Sequence, residues 1–120
     1  METQSEVLKR RTKSFAIKII RLFRSLPRTE EARIIGRQLL RAATSVAANY
    51  RAVRRARSRS EFIAKMGIVV EEADESAFWL ELLGDVGLVS AQELEAHLKE
   101  ANELLAIFAA SHKTARSNRS

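Results

Sequence analysis

The chain has no cysteine, one proline, four glycines and 6% aromatic residues among its 120 positions. Without cysteine there can be no disulfide, no thiolate chemistry and no cysteine–zinc site, and a reducing compartment fits. So little proline and glycine argues against a turn-rich all-β fold. Scarce aromatics require a core that is mostly aliphatic and alanine-rich. No run of about 18 apolar residues occurs, so no membrane span is expected. The N-terminal METQSEVLKRRTK lacks the apolar stretch of a signal peptide, which makes the cytoplasm the expected location.

Hydrophobic residues make up 46% of the chain and charged residues 30%, a balance that suits one soluble domain with a real core. The net charge of +6 is unevenly spread. Residues 1–60 hold 16 Lys/Arg and 4 Asp/Glu, whereas residues 61–120 hold 5 and 11. Either the two halves neutralise each other within or between subunits, or the basic half faces an anionic polymer.

Helix starts are legible. Thr3 with Glu6, Ser58 with Glu61 and Ser90 with Glu93 match the S/T-x-x-E capping box. Thr29 opens a further helix, with Glu30 and Glu31 placed where the helix dipole favours negative charge. Pro27 stops the helix before it, and Gly84 and Gly87 in GDVGLVS end the third. The spacing predicts helices near 4–25, 30–57, 59–83 and 91–112, with a flexible basic tail over 113–120. Short connections make consecutive helices antiparallel neighbours. The expected fold is all-α, an antiparallel up-down-up-down four-helix bundle forming one domain over residues 1–112.

Each helix carries a stripe at three- and four-residue steps, as a bundle core requires. These are Leu8, Phe15, Ile19, Leu22 and Leu26 in the first; Ile35, Leu39, Ala42, Val46, Tyr50 and Val53 in the second; Phe62, Met66, Val69, Ala73, Leu80 and Leu83 in the third; and Leu94, Leu98, Ala101, Leu105 and Phe108 in the fourth. Further apolar residues lie off these stripes. Burying a side chain of Phe or Leu size contributes roughly 1.5–3 kcal/mol. Ile63, Val70, Phe78, Trp79, Leu104 and Ile107 are therefore a candidate homo-oligomer interface. The alternative is that the core stripes are simply wide.

Opposite the apolar stripe of the second helix, Arg33, Arg37, Arg41, Arg51 and Arg55 fall within an arc of roughly 80° at about 100° per residue. From Arg33 to Arg55 the stripe runs about 33 Å at 1.5 Å per residue, close to one turn of a DNA duplex. Arg51, Arg54, Arg55, Arg57 and Arg59 cluster without an intervening acid, and the first helix adds outward cations, Lys9, Lys13, Arg21 and Arg24 among them. Guanidinium groups pair well with phosphate and stay charged at any relevant pH. Arg21, Arg24, Arg33, Arg37, Arg41, Arg51, Arg54, Arg55, Arg57 and Arg59 are thus candidate contacts to an RNA or DNA backbone. Interleaved aromatics and amides are missing, so bases would not be read. The competing reading pairs these arginines with Glu71, Glu72, Asp74, Glu75 and Glu81 of the third helix. Asn49, inside a helix, is expected to tie it to a neighbour, and Thr44 to bond back to its own preceding turn. His97 and His112 complete no Glu-x-x-His pair, and no nucleophile–base spacing or phosphate loop is evident. No metal, cofactor or enzymatic activity is expected.

Residues 37–83, RQLLRAATSVAANYRAVRRARSRSEFIAKMGIVVEEADESAFWLELL, resemble the small bacterial four helix bundle protein family. Some of its members are encoded within intervening sequences of large-subunit ribosomal RNA genes, and the accessory variability protein of diversity-generating retroelements is a relative. Arg41, Ala42, Ser45 and Val46 match the family's entry pattern, Ala48 and Asn49 its Ala-Asn pair. Ser58, Ser60, Glu61 and Phe62 match the start of its third helix, and Glu72, Glu75, Leu80 and Leu83 its acidic–apolar continuation. Where many members continue with aliphatic-Ala-Glu-Gly, this chain has Tyr50-Arg51-Ala52-Val53-Arg54. The resemblance implies a bundle that assembles into a homopentamer. From the retroelement relative alone, it implies binding to nucleic acid and to a reverse transcriptase.

Overall fold

The computed structural model describes residues 1–118, which form four helices in order: α1 (Gln4–Ser25), α2 (Glu30–Arg54), α3 (Arg59–Asp85) and α4 (Ala91–Ser117). Each starts at the hydroxyl that the sequence marks. The backbone N–H groups of Glu6, Ala32, Glu61 and Glu93 donate to the side chains of Thr3, Thr29, Ser58 and Ser90 at 3.1–3.3 Å, satisfying N–H groups that the helix itself leaves unpaired. The reciprocal arm closes at α1, where the Thr3 N–H donates to Glu6 Oε2 at 3.3 Å. At α3 the Glu61 carboxylate accepts instead from the Arg57 N–H, at 3.4 Å.

α3 runs through Gly84 to Asp85 and ends in a Schellman turn. Gly87 takes φ +75°, its N–H donates to Gly84 O at 3.0 Å, and the Leu88 N–H reaches back to Leu83 O at 2.9 Å. Three bounds differ from the expected ones, the end of α3 at Asp85 instead of residue 83 being the first. α2 stops at Arg54 instead of residue 57, because Ser58 must be extended to cap α3 and the chain has to leave the helix first. α4 continues as helix to Ser117, so residues 113–117 of the expected tail are helical, with Ala115 half-buried. Residues 119 and 120 of that tail lie outside the described residues.

The helices form a four-cornered bundle of 50 × 29 × 19 Å. α1 packs on α2, α2 on α3 and α3 on α4, while α4 returns to α1 across the thinnest seam. The antiparallel order shows in the contacts. Ser5 at the start of α1 meets Tyr50 and Arg54 at the end of α2, and Gly84 at the end of α3 lies against Leu94 at the start of α4. The core is aliphatic and alanine-rich, with Ile19, Leu39, Ala42, Ala43, Val46, Val69, Leu80, Leu83 and Phe108 fully enclosed. Tyr50 packs on Phe108 with ring centroids 5.3 Å apart. No helix among the described residues is long and apolar enough to cross a membrane.

Two residues of the candidate oligomer interface belong to this core: Ile63 is 7% and Leu104 1% exposed. α3 is enclosed by α2 on one side and α4 on the other, which widens its buried arc to include Ile63. α4 turns Leu104 inward in preference to Leu105. Val70, Trp79 and Ile107 are partly buried against the core, while Phe78 stays 52% exposed.

Gly87 has nothing within 4 Å of where a Cβ would stand, so Gly87→Ala tests backbone strain alone. It should destabilise the protein by about 1–2 kcal/mol in urea unfolding, the cost of a left-handed conformation for an L side chain.

Candidate nucleic-acid interface

The helical stripe from Arg33 to Arg55 exists, with all five arginines exposed, but tertiary packing divides it into parts with different electrostatic surroundings. Arg41, at its centre, is engaged by α3. Its Nη1 donates to Glu72 Oε2 at 3.0 Å and its Nη2 to Glu75 Oε1 at 2.9 Å. Glu72 is 8% exposed, and a carboxylate so placed requires a partner. The pairing with third-helix acids therefore holds for Arg41. Arg33 and Arg37 form no ion pair among the described residues. Glu75 has its carboxyl pushed up by burial and by the hydrogen bond and charge of Glu72 beside it, against the opposing pull of Arg41.

At the C-terminal end of α2 the surroundings change. Arg51, Arg54 and Arg55 form one wall of a groove of about 710 Å³ whose other wall is α1, with Lys9 and Lys13. Thr12, Thr44, Ala47 and Ala48 complete the lining, and no carboxylate takes part. Both threonine hydroxyls are turned into the helices: Thr12 donates to Lys9 O at 3.1 Å and Thr44 to Leu40 O at 2.8 Å. Arg54 is held by Nε donation to Ser5 Oγ at 2.9 Å. Five cations thus converge on one open groove. Arg57 and Arg59 continue the positive surface on the exposed turn into α3.

The remaining candidates sit elsewhere. Arg24 and Arg33 share a hollow of about 400 Å³ with Arg28 at the α1–α2 turn, floored by Phe23, Leu26 and Ala32. Arg21 lines the α1–α4 flank with Lys18, Glu93 and His97, so it does not join the groove. Lys9 and Lys13 were visible as outward cations of α1, but their opposition to Arg51 and Arg55 depends on how α1 packs against α2. Arg11 had no sequence signal. It spans the α1–α4 seam, with Nε donating to Glu100 Oε2 at 3.0 Å and Nη2 to Glu103 Oε1 at 3.1 Å, and the Glu100 hydrogen bond raises its already high pKa. Asn49 does not tie two helices together: its Nδ2 donates to Ser45 O of its own helix at 2.9 Å. Among the described residues, no group of three or more His, Asp or Glu is gathered where a metal ion could be held.

A second opening of about 510 Å³ lies at the end of the bundle where α1 and α3 begin. Leu8, Phe62, Met66, Ile107 and Phe108 line it, with Arg54 at its edge. Phe62 is only half-buried there, although its helical position matches that of Leu80, because the bundle is open at this end.

Fold and surface together define a small helical bundle with one strongly cationic flank. The chain belongs to the 23S rRNA-intervening sequence protein family, which it matches over residues 4–110. It is also similar to a solved structure from Bacteroides thetaiotaomicron, a protein of unknown function from the S23 ribosomal protein family. The two are 30% identical with a TM-score of 0.85, over 92% of this chain and 99% of that one. None of the curated proteins matches the chain.

Two measurements test these electrostatics. Arg41→Ala leaves the Glu72 carboxylate unpaired and should cost about 1–2 kcal/mol in urea unfolding, between the values for exposed and buried pairs. Adding Glu72→Gln should restore most of that loss. The His97 imidazole has its pKa lowered from the usual 6.5 by burial, with Glu93 opposing and Lys18 adding to the effect. The unfolded chain therefore binds a proton at His97 before the folded one does, and the stability from this group is lost as pH falls through about 6.5 and below. His97→Gln should flatten the decline in stability between pH 7 and pH 5 relative to the parent protein.

Proposed function

We propose that this protein is a non-enzymatic binder of nucleic-acid backbone, acting through the cationic flank of α1 and α2 without reading sequence. The observation that carries this reading is the groove between Lys9, Lys13, Arg51, Arg54 and Arg55, which gathers five cations and no acid. Like charges brought together on a surface repel, so such a cluster is costly unless an anionic ligand offsets it. With no aromatic side chain and no free amide in the lining, contacts would go to phosphate and leave the bases unread. A family named for an intervening sequence in 23S rRNA sits well beside this reading.

Self-association is the second reading, favoured by Phe78. This side chain is 52% exposed and packs edge-on against Trp79 at 4.9 Å between ring centroids. On α3 it lies one turn from Asp74 and Glu75 and one turn from Glu81 and Leu82, a partly apolar, acidic strip. A neighbouring copy's unpaired arginines, Arg33 and Arg37, would complement that strip. A homo-oligomer, pentameric by the resemblance, would then present several cationic flanks at once and raise avidity.

Electrophoretic mobility shift with labelled RNA and DNA should give a complex at 50 mM salt that weakens steeply by 200 mM. Reversing Arg51, Arg54, Arg55 and Arg57 to Glu should abolish it with helical content and mass unchanged. No shift at 50 mM, or an undiminished shift with the reversed protein, would refute the reading. Light scattering of the parent and of Phe78→Glu separates assembly from binding: loss of the oligomer with binding retained assigns Phe78 to assembly.

A further inference from the structure

We propose that the groove between α1 and α2 holds one single strand of nucleic acid, laid along its length, and excludes a duplex. This rests on the reading of the cationic flank as a backbone-binding surface.

The two walls carry cations that face the same space, Lys9 and Lys13 from α1 and Arg51, Arg54 and Arg55 from α2. Neighbouring helices have axes about 8–10 Å apart. A duplex is a rod far broader than that spacing, so it would rest across the ridges of the two helices instead of settling between them. A single sugar–phosphate chain can lie between them and take contacts from both sides. The floor suits it, because Thr12, Thr44, Ala47 and Ala48 are short and both hydroxyls are already committed to helix carbonyls. They leave depth for a chain and offer no donor to a base edge. Arg54 is held by Ser5 of α1, so less side-chain freedom is lost when it meets a phosphate.

The surface a duplex would need is interrupted. The arginine ridge of α2 has the length of about one duplex turn, but Arg41 at its middle is turned onto Glu72 and Glu75 of α3. What remains continuous is the stretch from Thr44 to Arg55, about 16 Å of helix, enough for a few phosphates. Bases would point away from the lining, so binding should be indifferent to composition.

The test is fluorescence anisotropy of the full chain with a labelled 20-nucleotide oligothymidylate, a mixed-sequence single strand and a duplex of the same length, between 50 and 200 mM salt. The single strands should bind alike and more tightly than the duplex. Five cations predict a slope of log Kobs against log salt near −3.5 for a single strand, about a hundredfold loss over this range. The triple variant Lys9→Ala, Lys13→Ala, Arg51→Ala should bring the slope to about −1.4, roughly a sevenfold loss. Ala48→Glu, on the exposed floor, should displace the single strand while every groove cation stays in place. Tighter duplex binding, or single-strand binding untouched by the triple variant and by Ala48→Glu, overturns the single-strand assignment and leaves the backbone-binding reading standing. Absence of binding by any of the three nucleic acids at 50 mM salt overturns both. Thermal melts monitored by circular dichroism confirm that each variant is folded.

Discussion

The packing of α2 between α1 and α3 sets most of what this molecule can do. α2 buries a continuous inner face, Leu39, Ala42, Ala43, Val46, Tyr50 and Val53, and so has little rotational freedom within the bundle. Turned this way, it hands Arg41 to the acids of α3 and brings Arg51, Arg54 and Arg55 beside the lysines of α1. A stripe that looks uniform along the helix thus acquires two roles: its centre serves the fold, and its C-terminal end faces an open groove. The small residues along the inner side, Ala32, Gly36, Ala42 and Ala43, keep the helix close to its neighbours. At Gly36 the fit is close, since a Cβ there would stand 2.8 Å from the Leu26 side chain.

The α1–α4 seam is built differently. Here a fork of Arg11 onto Glu100 and Glu103 crosses between the two helices. Partly exposed ion pairs stabilise weakly beside apolar burial, so this fork adds little to the stability that the buried side chains of α1 and α4 supply. His97, whose neutral form is favoured by its surroundings, lines the same flank. The two flanks of α1 therefore differ in electrostatic character. Toward α4 its cations meet acids; toward α2 they meet more cations.

The likeness to the Bacteroides structure, at 30% identity over nearly the full length of both chains, shows that the architecture survives extensive change of side chains. A bundle tolerates such change because its core asks for apolar residues of suitable volume at a given period more than for particular residues. The exposed face of α2 answers to no such demand. That is where this sequence places Arg51 and Arg54, while Tyr50 and Val53 of the same stretch are buried in the core.

The helix count, order and starts were legible in the sequence because capping is a local interaction, completed within one turn by Thr3, Thr29, Ser58 and Ser90 themselves. The inner and outer faces of α2 were legible for a similar reason: charge and apolarity alternate there with a clean helical period. On α3 and α4 the apolar arcs are too wide for periodicity to fix a direction. Only packing on two neighbours decided that Ile63 and Leu104 belong to the interior while Phe78 does not. Charge pairing was likewise beyond a one-dimensional reading. Whether an arginine is paired depends on which helix lies across from it and at what height, so the partners of Arg41 and Arg11, and the opposition of Lys9 and Lys13 to Arg51 and Arg55, emerge with the tertiary structure alone.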